Sequence, residues 1–163
     1  ELLKERYLKD EGFVRAGTIA GAMAMSHEMI AGGSSTESFV KGAVRMRKGL
    51  GLLPQVIFDT HFILRGRFGR VAEAVAHYPS LIGIGLAEDT GLVIKHGNDV
   101  KVIGTGMVIV FDGKSIQHNS QAQLEPGTPM TITNLSVHVL ANSDSFNIEK
   151  RTVHVLPIEA AFE

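Results

Sequence analysis

The segment Gly17-Thr18-Ile19-Ala20-Gly21 most narrowly limits what this chain can build. It follows a short apolar run, Phe13-Val14, and opens a small-residue stretch, Ala22-Met23-Ala24-Met25. Strand, sharp turn and helix in that order is the setting of a nucleophile elbow, where glycines on both sides permit a strained turn that exposes the middle side chain. The middle residue is Ile19, which has no oxygen, sulfur or nitrogen to attack with. The helix start leaves backbone N–H groups without partners, and the Ala20 N–H is placed to face a developing oxyanion. Neighbouring hydroxyls do not substitute. Thr18 points off the tip, and Ser26 lies two turns along the expected helix, roughly 10 Å away by the helical rise. Glycines four apart also serve plain helix packing, so the flanking strand and helix decide the reading.

Periodicity along the rest of the chain points to an α/β fold. Residues 12–32 read as the strand–elbow–helix unit, with Gly32 as helix terminator. The apolar run from Leu50 to Phe58 ends at Asp59, and its β-branched and aromatic residues after Pro54 predict a buried strand. Arg67 to Tyr78 predicts a helix with Phe68, Val71, Ala72 and Val75 on one face. Leu81 to Leu86 predicts a second buried strand just before Glu88. From Leu92 the chain turns β-rich, with strands expected at 92–94, 100–103, 107–111, 130–133, 136–140 and 152–156, separated by Asn98-Asp99, Asp112-Gly113 and Pro126-Gly127. Early alternation of strand and helix argues for a largely parallel sheet flanked by helices, extended by antiparallel strands in the C-terminal part. One domain spanning residues 1–163 is expected. Chemistry in such sheets gathers at the C-terminal ends of strands, and Ile19, His61 and Glu88 each follow an expected strand there.

His61, in Asp59-Thr60-His61-Phe62, reads either as a structural histidine or as a general base. Glu88 reads either as an exposed loop carboxylate or as the acid that orients His61 and stabilises its imidazolium. The order nucleophile, histidine, acid differs from the Ser–acid–His order of α/β-hydrolases. Arg65, Arg67 and Arg70 stand just after His61. They read as a solvated helix start, a small phosphate site, or a cluster that recognises carboxylates through bidentate guanidinium forks.

Composition narrows the classes. The 163 residues carry 16 basic and 17 acidic side chains, so no charge excess points to nucleic acid or a membrane surface. No cysteine is present, which excludes disulfides, thiolate metal ligands and a cysteine nucleophile. His27-Glu28 does not continue to a second histidine at zinc-protease spacing, because that position is Ala31. The Gly-x-Gly pairs at 49–51, 83–85 and 104–106 complete no dinucleotide or phosphate-loop pattern, so neither metal nor cofactor is expected. No apolar stretch reaches the about 20 residues that span a bilayer, and a cytoplasmic setting is the plainer expectation. Leu2, Leu3, Tyr7 and Leu8 fall at helical spacing among charges at the very start. The chain therefore reads as the later portion of a longer protein, with a preceding segment as an expected partner.

Four strings in order give a resemblance. They are Gly17 to Ala22, Gly49-Leu50-Gly51-Leu52-Leu53-Pro54, Asp59 to Phe62 with Arg65 to Arg70, and Gly83 to Thr90. Together they resemble the cyanophycinases, serine peptidases related to the aspartyl dipeptidases. The first string is similar to Gly-Thr-Ser-Ala-Gly-Ala, with Ile19 where that family has its serine. The resemblance is strong over about residues 12–113. It implies a class-I-glutamine-amidotransferase-like α/β fold and hydrolysis of cyanophycin, a poly-aspartate backbone bearing arginine on each β-carboxyl, to β-Asp-Arg dipeptides. It implies His61 and Glu88 as catalytic base and acid, and a substrate-binding region at Asp59, Arg65, Arg67, Arg70, Asp89 and Thr90. The expected partner is thus a peptide, with a homodimer left open. Two readings follow: a peptidase site that has lost its nucleophile, or a catalytically inactive module that binds acidic or β-aspartyl peptides.

Overall fold

A computed structural model describes residues 1–156. Its organising layer is a four-stranded sheet ordered β3-β4-β7-β8, from β3 (Val56–Asp59), β4 (Ile82–Leu86), β7 (Val108–Asp112) and β8 (Ser136–Leu140). Side chains alternate across a strand, and here both faces are covered, which is why β3 and β7 read as unbroken apolar runs. Phe58, Ile82, Ile84, Val108, Val110 and Leu140 point into one core. A second sheet, ordered β10-β9-β6-β5, closes that core with Val100, Val102 and Phe146. Its strands are β5 (Thr90–Lys95), β6 (Asp99–Gly104), β9 (Ser145–Asn147) and β10 (Thr152–His154).

The opposite face carries Ile57, Ile109 and Phe111, against which α3 (Phe68–His77) packs Val71, Ala72, Ala74 and Val75. The approach is close because Gly83 has no side chain. A Cβ there would lie 2.5 Å from Val71 Cγ1 and 2.7 Å from Val75 Cγ2. Gly85 does the same for a different neighbour, since a Cβ would fall 2.4 Å from the Phe62 ring. The Gly-x-Gly at 83–85 is therefore a packing device.

The fold is α/β, and its sheet is mixed, not largely parallel. Only β3 and β4 run parallel, joined through α3, whereas β4–β7 and β7–β8 are antiparallel. Strand–helix alternation in the sequence is realised once, and hairpins take over after β4. Four local expectations also change. Phe13-Val14 forms no strand among the described residues. The elbow helix is a single turn, α2 (Ala20–Met23). Gly32 ends no helix: β1 (Glu28–Gly33) pairs antiparallel with β2 (Val44–Lys48), setting Glu28 opposite Lys48 and burying Ile30 against α3. Burial and a cross-strand ion pair there outweigh local helical preference. Residues 130–133 make only an isolated bridge, Asn119 to Ile132, in place of a strand. The first helix, α1 (Leu2–Lys9), forms as its periodicity predicts, yet buries none of its residues.

Candidate active site

Two neighbouring parallel strands end side by side, and their following loops carry the two titratable residues of interest. β3 ends at Asp59 and leads to His61, while β4 ends at Leu86 and leads to Glu88. His61 Nδ1 lies 3.1 Å from Glu88 Oε1. A carboxylate accepts, so the ring donates from Nδ1, and the neutral form of that ring has Nε2 as its acceptor. The Glu88 carboxyl is held below its ordinary range, first by its own backbone N–H and then by His61. The loop beneath it is tightly tied. The Ala87 N–H donates to Met107 O at 3.1 Å, and the Thr105 N–H to Asp89 O at 3.0 Å. The Thr90 hydroxyl donates to Glu88 O at 2.8 Å, so that hydroxyl serves the loop.

The elbow helix reaches the strand that leads to His61. α2 packs on β3, and the Thr60 hydroxyl contacts Met23 Sδ at 3.6 Å. Ile19 adopts φ 49°, ψ −120°, a region foreign to β-branched residues. Its side chain is 56% exposed, displayed at the tip as an elbow displays its nucleophile. The turn is forced by contacts around it. The Thr18 carbonyl accepts from the Gly21 N–H at 2.8 Å, and Gly17 lies so near Gly21 that a Cβ would sit 2.8 Å from its carbonyl carbon. The Ala20 N–H donates to no backbone acceptor among the described residues.

The cluster expected to meet substrate divides. Arg65 is exposed and Asp89 is exposed. Asp59 is fully buried, and Arg70 is 5% exposed. Asp59 Oδ1 accepts from Arg67 Nη1 at 3.2 Å and Arg70 Nη2 at 3.1 Å, with Arg70 Nε 3.0 Å from Oδ2. Burial pushes the Asp59 carboxyl up and the Arg70 guanidinium down, each opposed by the other's charge. This differs from three free guanidiniums offered to a ligand, because a buried carboxylate needs paired charge and takes two of them. A sequence cannot show which arginine is so committed. Phe62 stands in the string around His61, but its seat against Gly85 shows only in the fold. Among the described residues no group of acidic, histidine or cysteine side chains could hold a metal, and no helix is long and apolar enough to cross a membrane.

Comparison with known proteins identifies the family. The model of peptidase family S51 matches residues 1–103. The chain belongs to peptidase family S51. Cyanophycinases of Trichormus variabilis and Nostoc sp. are each 40% identical over 153 residues, 94% of this chain and 51% of theirs. The cyanophycinase of Geminocystis herdmanii is 40% identical over 131 residues, 80% of this chain and 48% of its own. The chain thus spans about half the length of the curated relatives it matches. The S51 match covers the elbow, His61 and Glu88, but it stops before β7, which forms the antiparallel extension of the sheet.

Proposed function

We propose that the elbow, His61 and Glu88 form the site of a cyanophycinase-like serine peptidase in which Ile19 holds the nucleophile's position. The observation that carries this reading is the Ile19 backbone, kept at φ 49° at the start of a helix that packs on the strand leading to the bonded His61–Glu88 pair, although its side chain has no chemistry to perform. The substrate class is a poly-aspartate backbone with arginine on its β-carboxyls, cleaved to β-Asp-Arg, in a cytoplasmic setting. A serine at position 19 would attack the scissile carbonyl through Oγ. His61 Nε2 would take the hydroxyl proton and return it to the leaving amine. Glu88 would stabilise the imidazolium, and the Ala20 N–H would donate to the oxyanion. Arg65 and Asp89, exposed in the loops that carry the pair, are the groups left to read the carboxylates and guanidiniums of such a polymer.

As it stands, Ile19 supports no acyl-enzyme. The test compares the full chain with its Ile19→Ser variant for dipeptide release from an Asp-Arg polymer. Loss of a triad nucleophile costs roughly 10⁶-fold, so the serine variant should gain by orders of magnitude. Robust turnover by the parent would overturn the nucleophile assignment. A second reading, a module that binds acidic or β-aspartyl peptides without cleaving them, is favoured by the same oxygen-free side chain. Calorimetric binding of β-Asp-Arg by both proteins, with no cleavage by either, would select it.

A further inference from the structure

We propose that Arg67, paired with Asp59, is a positioning residue that sets the backbone of His61, not a residue that meets substrate. The proposal deepens the peptidase reading and rests on it for the catalytic consequence only.

His61 has φ 49°, in the left-handed region that non-glycine residues seldom occupy. Such a conformation persists only where the surroundings impose it. The peptide groups around His61 are pinned one by one. Asp59 Oδ1 accepts the Thr60 N–H at 2.9 Å. Arg67 Nη1 donates to the Thr60 carbonyl at 2.7 Å, which fixes the peptide entering His61. The same nitrogen reaches Asp59 Oδ1 at 3.2 Å, so one guanidinium ties both ends of Thr60 together. On the far side, the His61 carbonyl accepts from the Arg65 N–H at 3.1 Å, and the Phe62 N–H donates to Leu86 O at 3.1 Å. That last bond joins the histidine turn to the strand that ends just before Glu88.

Three of these four anchors are backbone groups or the adjacent carboxylate. Arg67 is the one that comes from a side chain beyond the turn, and only 14% of that side chain is exposed. Arg70 braces Asp59 from the buried side at 3.1 Å, leaving Arg67 directed at Thr60. Both oxygens are reached by the one nitrogen Nη1, which stands one bond farther from the backbone than a lysine ammonium would, so a lysine at 67 falls short of holding both. Arg67 therefore controls where the imidazole sits through the main chain, and the Nδ1-to-Glu88 bond is its visible product.

The experiment has one readout that needs no turnover. In the parent chain, the His61 Nδ1 proton bonded to Glu88 is followed by proton–nitrogen NMR, together with the His61 titration curve. Arg67→Lys and Arg67→Gln should each weaken or abolish the bonded Nδ1–H signal and shift that curve, while Arg65→Ala leaves both unchanged. In the Ile19→Ser background, the Arg67 variants should lower kcat about 10²-fold, the cost of roughly 1 Å of misplacement, with KM nearly constant. A rise in KM with unaltered His61 signals would overturn the proposal and return Arg67 to substrate contact. If Ile19→Ser proves silent, the peptidase reading fails, and the NMR result still decides the positioning role. Should Arg67→Gln unfold, Arg67→Lys supplies the decision.

Discussion

Replacing Ile19 by alanine and by glycine measures the strain stored in the elbow, apart from any activity. Both substitutions remove the same partly buried side chain, which is 56% exposed in the parent, so the lost apolar contact cancels between them. What remains is a Cβ held at φ 49°, ψ −120°. Backbone in such sparsely populated regions costs about 1–3 kcal/mol for a residue with a Cβ, and little for glycine. Glycine gives back about 0.4–1 kcal/mol through the greater freedom of its unfolded chain. The difference leaves Ile19→Gly about 0.5–2 kcal/mol more stable than Ile19→Ala. For a chain of this size, each kcal/mol moves the melting temperature by about 2–4 °C, so the gap should be a few degrees by calorimetry or circular dichroism. Ala72→Gly, inside α3 where the backbone is helical, should show the opposite sign, a loss of about 1 kcal/mol or more. An Ile19→Gly variant that melts at or below Ile19→Ala would refute the argument that the turn is imposed by its surroundings.

Other outcomes follow from the packing and the charges. Gly85→Ala drives a Cβ to 2.4 Å from the Phe62 ring and should cost about 1–3 kcal/mol in denaturant unfolding, with a changed His61 environment by NMR. Lys48 holds the Glu28 carboxyl below its ordinary value, and the Glu88 carboxyl is depressed as described above. A carboxyl with a lowered folded-state pKa contributes stability that is present above its unfolded value and lost as pH falls through the folded one. The contribution of these two carboxyls should therefore decline below about pH 4.5, opposed by the raised Asp59, and Glu28→Gln should remove the Glu28 share of that decline in acid titrations followed by circular dichroism. An unchanged slope would show that the Glu28–Lys48 pair contributes nothing.

Much of this molecule was legible before its tertiary structure, and the reason differs from element to element. Val56–Asp59, Ile82–Leu86 and Val108–Asp112 declared themselves because a sheet covered on both faces demands unbroken apolar runs, and α3 did so because one helical face must be apolar. His61 and Glu88 could be paired in advance because loops after adjacent parallel strands share one end of a sheet. Glu28–Gly33 carries a helical pattern in the sequence, and its strand character exists only through Val44–Lys48, many residues away. Antiparallel strands are expected in the C-terminal part, but that β7 pairs directly with β4 inside the same sheet is not written in its pattern, since buried strands carry the same apolar runs wherever they insert. The arginines show the division most clearly. Their presence in one short span is a property of the sequence, and it licensed the expectation of carboxylate binding. That Arg67 and Arg70 take the chain's own Asp59 while Arg65 stays exposed, and that Arg67 also holds the peptide before His61, is set by burial and by distances of about 3 Å that only folding creates.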